Sequence, residues 1–316
     1  MRPMIRRLLH KARIGTKAFF ATLNMSPQAY RVIRMLEARE APARPSRGTP
    51  FWIHALLFIV TLATTTLAGY SRDGTLSSAF AFSISIMTIL LAHEMGHYLA
   101  ARRFGVHTTL PYFIPFPSIV GTMGAVIKIK SPITDTRALL YIGAMGPVVG
   151  FVLSLAAFAY GIWISPVKPI PTGVEGEILV FGDSLVVRAV TWAIHGAIPA
   201  GQDVFLSPVA LAGWIGFLIT SLNLMPMGQL DGSHVLYALI GRRQLAFGWA
   251  AFIALAGLSF VWPGWLVWIF MALFFLMIGH PPVPDGPGLS PAERLLGWCC
   301  VAIFIITFIP LPIDIV

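Results

Sequence analysis

The stretch Leu91-Ala92-His93-Glu94-Met95-Gly96-His97 reads His-Glu-x-x-His inside an apolar segment that runs from about Ser77 to Ala101. In a helix, His93 and His97 lie one turn apart on the same face. Two imidazoles in that arrangement can share one metal ion, with Glu94 beside them as a candidate base. Because ionisable side chains are costly in an apolar span, the pattern favours a functional site over two buried packing histidines.

The composition predicts an integral membrane protein. The chain has 316 residues, of which 57% are hydrophobic and only 11% are charged. Soluble domains carry about 25% charged residues. The two cysteines, Cys299 and Cys300, are adjacent in an apolar run, so we expect neither a disulfide framework nor a cysteine-based zinc cluster.

Residues 1–50 are predicted to form a basic cytoplasmic tail that ends in a linker rich in proline. Eleven of the 22 Lys and Arg residues precede the first apolar segment. Beside a membrane span, such a run is typical of the cytoplasmic side and of binding to anionic membrane lipid, and we expect no nucleic-acid partner. No cleavable signal peptide is expected. We therefore expect a multi-pass protein of the inner (cytoplasmic) cell membrane, with its N-terminus in the cytoplasm.

Residues 51–313 are predicted to form one membrane-embedded domain, whose core is 77–240. Apolar runs of spanning length predict an all-α polytopic fold with about seven transmembrane helices, one of them broken, plus a short re-entrant β-hairpin. A turn at 70–75 separates the first two spans, and 165–207 is expected outside. The expected spans are 51–69, 77–101, 138–164, a broken one at 208–240, 245–261, 265–278, and a last one after Arg294 that ends near Ile309.

Residues 107–132 contain too many Pro and Gly residues for a transmembrane helix, and 125–130 alternate in polarity as a strand does. At membrane depth, irregular backbone is tolerated only against protein or a water-filled cavity. The segment is interpreted as a β-hairpin or re-entrant loop beside the metal site; the alternative is a plain cytoplasmic loop. A strand near 126–130 can pair with an unwound substrate segment.

A second polar stretch, Asn223-Leu-Met-Pro-Met-Gly-Gln-Leu-Asp-Gly232, interrupts a later apolar helix. Polar side chains in a broken membrane helix are typical of an ion or substrate site. A catalytic zinc usually has three protein ligands. Asp231 is the best candidate for the third ligand, and His234 is the alternative.

The depth of the two motifs agrees. His97 lies five residues before Arg102, about 7–8 Å along a helix, and Asp231, counted from Arg242, is expected at a similar depth once the helix break is allowed for. A metal held there would sit in the cytoplasmic part of the membrane and would assist peptide hydrolysis. Glu94 is the candidate general base. Asn223 is a candidate donor to the substrate carbonyl or oxyanion, or alternatively a cap at the helix break.

These motifs together resemble the site-2 proteases, the M50 family of intramembrane zinc metalloproteases. The resemblance covers about residues 51–310 and includes His93-Glu94-x-x-His97, Asn223-x-x-Pro226-x-x-x-x-Asp231-Gly232, the 121–126 segment and the Gly146-Pro147 pair. It implies one zinc ion with ligands His93, His97 and Asp231, the base Glu94, and cleavage of transmembrane protein or peptide substrates.

Two details refine the resemblance. The Gly-Gln-Leu-Asp-Gly form and the proline-rich loop at 111–117 are similar to the branch that lacks a PDZ domain. Gly228 stands where many members have a second proline, which predicts a more flexible break.

Three alternatives stay open on the sequence. A prenyl-protease type of enzyme pairs His-Glu-x-x-His with a distal Glu, whereas the acid in the break here is Asp231. A transporter would use a broken helix as an ion site but would not need Glu94 between two histidines. A catalytically inactive relative is the third.

Overall fold

The computed structural model describes residues 49–133, 135–171, 179–278, 283 and 288–315. The predicted N-terminal tail therefore lies outside the described residues except for its last two positions. The described chain is mostly helical, with short strands in the connections, in agreement with the coarse fold class predicted from the sequence.

Nine α-helices are found among the described residues. A 3₁₀ turn at Gly241–Arg243 joins the sixth to the seventh. The helices are α1 (Phe51–Asp73), α2 (Leu76–Arg103), α3 (Thr136–Trp163), α4 (Leu185–His195), α5 (Pro208–Asn223), α6 (Asp231–Ile240), α7 (Gln244–Leu258), α8 (Trp265–Ile278) and α9 (Pro291–Thr307).

Within the described ranges, three helices, α1, α2 and α3, are long and apolar enough to cross a membrane. The later helices are shorter, and the longest of them, α9, has 17 residues. A helix of that length extends about 25 Å, less than the roughly 30 Å hydrocarbon core of a bilayer. The count of seven transmembrane helices therefore stays a prediction.

The predicted turn at 70–75 is wrong in its extent, because α1 continues to Asp73. Gly74 ends α1 in the left-handed conformation, with φ 68°, which glycine adopts without a steric penalty. The Thr75 side chain then accepts a hydrogen bond from the Ser78 backbone N–H and caps α2. The connection between the first two helices is thus only two residues long.

The chain between α2 and α3 forms a β-hairpin, as the sequence predicted. Strand β1 (Tyr112–Pro115) pairs with β2 (Thr122–Val126) in antiparallel register, with Tyr112 opposite Val126. The second strand begins earlier than the predicted 125–130, although a bridge between Thr108 and Ile129 extends the pairing.

The tip of the hairpin is seated on α1. The Thr64 hydroxyl donates to the Gly121 carbonyl at 2.7 Å. Gly121 has φ +83°, and a Cβ there would lie 2.5 Å from the Thr64 carbonyl oxygen. Only glycine fits this position, because both the backbone conformation and the space exclude a side chain.

Four short strands lie in the 165–207 connection and near the C-terminal end. β3 (Val167–Pro169) pairs with β5 (Gln202–Val204), and β4 (Leu179–Phe181) pairs with β6 (Ile313–Ile315), both antiparallel. The first pair lies wholly within the connection that precedes α5, and the second links that connection to the segment that follows α9.

The main apolar core lies where α2, α3 and α5 meet. Phe82, Phe158 and Phe217 are fully buried there, and a Cβ at Gly213 of α5 would lie 2.5 Å from the Phe158 backbone nitrogen. In lipid, helices associate through close packing of small residues more than through exclusion of water. This packing fixes α2, which carries His93 and His97, against α5, which leads to the helix break.

Candidate metal centre

His93 and His97 lie on the buried face of α2, one turn apart. These two residues and Glu94 are each at most 6% exposed, and the two imidazole centroids are 4.9 Å apart. Asp231 is the first residue of α6. Its Oδ2 atom lies 3.2 Å from His97 Nε2 and 3.5 Å from His93 Nε2. Residues more than 130 positions apart in the chain thus converge on one point.

The donor set fits zinc in both chemistry and spacing. Imidazole nitrogens and carboxylate oxygens are common zinc ligands, and tetrahedral coordination with bonds of about 2.0–2.2 Å separates ligand atoms by about 3.3–3.6 Å. The two separations to Asp231 Oδ2 are close to this range. Glu94 can also bring an oxygen within 4.8 Å of both imidazoles, but Asp231 meets the tighter spacing, which leaves the Glu94 carboxylate for another role.

A backbone carbonyl of α3 orients His97. The His97 Nδ1 atom lies 2.6 Å from the Ile142 carbonyl oxygen. Because that oxygen can only accept, Nδ1 carries the proton and Nε2 keeps its lone pair, which is the tautomer that a metal requires. Such an orienting bond is typical of metal-binding histidines, and a sequence motif does not reveal it.

A stripe of three glycines on α3 makes room for the predicted ligands. Their spacing places Gly143, Gly146 and Gly150 on one face of the helix. At Gly146, a Cβ would lie 2.5 Å from His97 Cδ2 and would overlap Cε1 and Nε2 of the same ring. At Gly150 it would lie 2.8 Å from His93 Nδ1, and at Gly143 it would lie 3.0 Å from the Asp231 carbonyl oxygen. These glycines therefore border the candidate metal centre, in addition to allowing close helix packing.

The helix break is tightly packed. Gly228 has φ +56°, and a Cβ there would lie 2.5 Å from the Phe275 carbonyl oxygen on α8. Proline, whose φ is fixed near −65°, cannot adopt this conformation. Gly232 is equally confined, because a Cβ would overlap the Leu224 carbonyl. These contacts argue against the more flexible break that Gly228 predicted.

Asn223 and the β-hairpin both reach the centre. The Asn223 amide Nδ2 lies 3.3 Å from His93 Nε2. The backbone N–H of Ile127, the residue after β2, lies near the Glu94 carboxylate. The hairpin therefore ends at the candidate base, beside the metal site as the sequence predicted.

The edge of the hairpin that faces the centre can be identified. The Lys128 carbonyl accepts from the Thr109 N–H at 3.0 Å, and the Lys130 N–H donates to the His107 carbonyl at 2.7 Å. Backbone groups alternate between the two sides of an antiparallel strand, so those of Ile127 point away from β1 and towards Glu94. Within the described residues, β2 pairs only with β1.

His234, the alternative third ligand, is placed differently from Asp231. His234 lies on α6, and its Cβ would be 2.8 Å from a Cβ at Gly143. Asp231 is the residue whose carboxylate lies near both histidines. The roles of these residues stay predictions.

A comparison with known protein families identifies the class of this protein. The sequence model of peptidase family M50 matches residues 81–263, which contain most of α2, the hairpin and the broken helix. The chain therefore belongs to peptidase family M50, a family of metallopeptidases. The resemblance to site-2 proteases that the motifs indicated is confirmed.

Individual relatives agree with this membership. The chain is 30% identical to "Probable zinc metalloprotease EGY2, chloroplastic" of Arabidopsis thaliana over 226 residues, which is 71% of this chain and 40% of the relative. It is 32% identical to "Probable zinc metalloprotease EGY1, chloroplastic" of Oryza sativa subsp. japonica over 240 residues, which is 73% of this chain and 40% of the relative. The chain thus spans less than half the length of these relatives. No solved structure matches the chain.

Proposed function

We propose that the protein is a site-2-type zinc metallopeptidase that hydrolyses peptide bonds of transmembrane substrates within or near the bilayer. The observation that carries the proposal is the convergence of His93, His97 and Asp231 beside Glu94. Three of these four residues lie on α2, a helix long and apolar enough to cross a membrane. Membership of peptidase family M50 supports the reaction class.

The three ligands would hold one zinc ion through two imidazole Nε2 atoms and one carboxylate oxygen. When bound, zinc supplies Lewis-acid chemistry, which polarises a peptide carbonyl and activates water near neutral pH. The Glu94 carboxylate accepts the proton from the attacking water and delivers it to the leaving amine. The Ile127 N–H lies near this carboxylate and would help to orient it. The Asn223 amide is close enough to the centre to donate to the developing oxyanion.

The free edge of β2 is the proposed binding site for the substrate. A transmembrane substrate is helical, and its peptide bonds are hidden by its own hydrogen bonds and side chains. Pairing with β2 would hold the unwound segment extended, alongside Ile127 and therefore next to Glu94. Met123 and Val126 on β2 are 61% and 49% exposed, so they offer apolar contacts to such a segment.

The arrangement in the membrane is also a proposal. Seven spans result if α5 and α6 together cross once and if α7, α8 and α9 each cross. The basic tail and the paired arginines that end α2 and follow α6 favour a cytoplasmic N-terminus in the inner cell membrane. The membrane-embedded domain would then comprise residues 51–313, in contact with membrane lipid.

Cleavage of a model transmembrane substrate by the reconstituted protein tests the reaction. Glu94→Gln is expected to reduce the rate about 10²–10⁴-fold, the usual contribution of a general base, while zinc content stays at one ion per chain. Asp203→Asn, the same type of change at an exposed position of β5, is the control and should keep full activity. Equal cleavage by Glu94→Gln and the wild type would refute the role of Glu94, and an active protein free of zinc would refute the metal centre.

A further inference from the structure

A buried glutamine from outside the two motifs is bonded to the helix break. Gln244, the first residue of α7, is 3% exposed. Its amide nitrogen donates to the Pro226 carbonyl at 2.9 Å and to the Ser233 hydroxyl at 2.8 Å. Both N–H groups of this amide are therefore used, which is the full donor capacity of a glutamine side chain.

Ser233 extends this network back into the break. It is fully buried, and its hydroxyl donates to the Gly228 carbonyl at 2.7 Å. Unwound backbone at membrane depth leaves carbonyls without helical partners, and each unsatisfied group costs several kcal/mol. Gln244 and Ser233 together satisfy two of these carbonyls, at Pro226 and Gly228.

The network surrounds Asp231 in the sequence. Pro226 and Gly228 precede Asp231, and Ser233 follows it. The Gln244 side chain joins the two sides, because it bonds to both Pro226 and Ser233. The same surface of α7 is in close contact with the break, because a Cβ at Gly248 would lie 2.9 Å from the Pro226 carbonyl oxygen. Movement of α7 relative to the break would therefore move the start of α6, where Asp231 lies.

We propose that Gln244 is a positioning residue, which acts through Ser233 and the Pro226 carbonyl to hold Asp231 at bonding distance from the His93 and His97 imidazoles. The proposal rests on the function proposed above, since it assigns Asp231 to the metal. It differs from a general packing role, because packing alone does not require two N–H donors at this position.

Zinc affinity of the full chain in detergent, measured by competition with a chelator, tests this role independently of activity. Gln244→Glu keeps the shape of the side chain and leaves at most one donor, and Ser233→Ala removes the hydroxyl that links Gln244 to the Gly228 carbonyl. Each is expected to weaken zinc binding about 10–100-fold, the usual effect of losing a group that orients a ligand. The double variant should lose less than the product of the two effects, because both changes break one network.

Two controls separate positioning from general destabilisation. Gln202→Glu, on exposed β5, should bind zinc as the wild type does. Gly161→Ala disturbs the contact of α3 with the Ala210 backbone on α5, so it lowers Tm without touching the break. The proposal is overturned if Gln244→Glu binds zinc with wild-type affinity, or if Gly161→Ala weakens zinc binding as strongly as Gln244→Glu does. Wild-type protein that binds no zinc would instead overturn the proposed function itself.

Discussion

Replacement of Gly146 by alanine is a direct test of whether α3 shapes the metal centre. The added Cβ would lie 2.5 Å from His97 Cδ2 and overlap Cε1 and Nε2, the predicted ligand atom. Ordinary contacts between carbon atoms are about 3.5–4.0 Å, so the ring has to move by about 1 Å. The hydrogen bond from His97 Nδ1 to the Ile142 carbonyl, at 2.6 Å, opposes that movement.

The expected magnitude follows from the cost of overpacking. An extra methyl group in a well-packed interior costs about 1–3 kcal/mol. If the cost falls on the ligand geometry, zinc affinity decreases by a factor of about 5–150, since about 1.4 kcal/mol corresponds to a tenfold change. Gly150→Ala should have a smaller effect, because its Cβ would lie 2.8 Å from His93 Nδ1 and 3.4 Å from the next nearest atoms. A Cβ at Gly257 of α7 meets nothing within 4 Å, so Gly257→Ala is the matched control.

Chelator competition and thermal unfolding of the three variants, side by side, provide the assay. We expect Gly257→Ala to bind zinc as tightly as the wild type does. Gly150→Ala should bind zinc more weakly, and Gly146→Ala should bind it most weakly of the three. A Gly146→Ala protein that binds zinc with wild-type affinity would refute the inference that this glycine provides the space for the His97 ring. The inference would also be refuted if Gly146→Ala and Gly257→Ala lost the same amount of zinc affinity.

Two further predictions use the same measurements. Asp231→Asn should weaken zinc binding at least about 10²-fold, because a charged ligand is lost. His234→Asn should change zinc affinity less than about threefold. A larger loss of zinc affinity in His234→Asn than in Asp231→Asn would make His234 the third ligand. Gly121→Ala places a side chain at a left-handed position against the Thr64 carbonyl, and it should destabilise the contact between the hairpin and α1 by about 1–3 kcal/mol. We expect it to reduce cleavage and to leave zinc affinity unchanged. Retained cleavage would argue that the substrate does not pair with β2.

The sequence predicts the proximity of the two imidazoles well, because the pattern that carries it is local. His93, Glu94 and His97 share one helical turn, and periodicity alone places the two imidazoles together. Asp231 is harder, since its proximity to them depends on how α2, α3 and α5 pack. The count of residues to the arginine pairs does not explain this contact, because α6 runs unbroken from Asp231 to Ile240. Asp231 therefore lies eleven residues, about 16 Å of helix, before Arg242, whereas His97 lies five residues before Arg102. The structure shows that helix packing brings the two together.

Other features of the site were not predictable because they depend on backbone groups. The Ile142 carbonyl that orients His97 and the Ile127 N–H that meets Glu94 have no signature in residue type. Gln244 resembles any polar residue at the end of a membrane helix until its two acceptors are known. The length of the turn after α1 was not predictable for the same reason, because the backbone conformation of Gly74 sets where α1 ends.

The α3 glycines show why a packing motif and the candidate metal centre coincide in this fold. Each glycine in a helix interior costs about 1 kcal/mol relative to alanine, so three on one face are unfavourable unless contact requires them. Gly96 of α2 faces the same stripe, and a Cβ there would lie 2.5 Å from the Met145 carbonyl oxygen. The backbones of α2 and α3 are therefore in direct contact at the level of His97. That contact brings the Ile142 carbonyl within reach of the imidazole, so the small residues that allow the helices to pack also set the tautomer of the ligand.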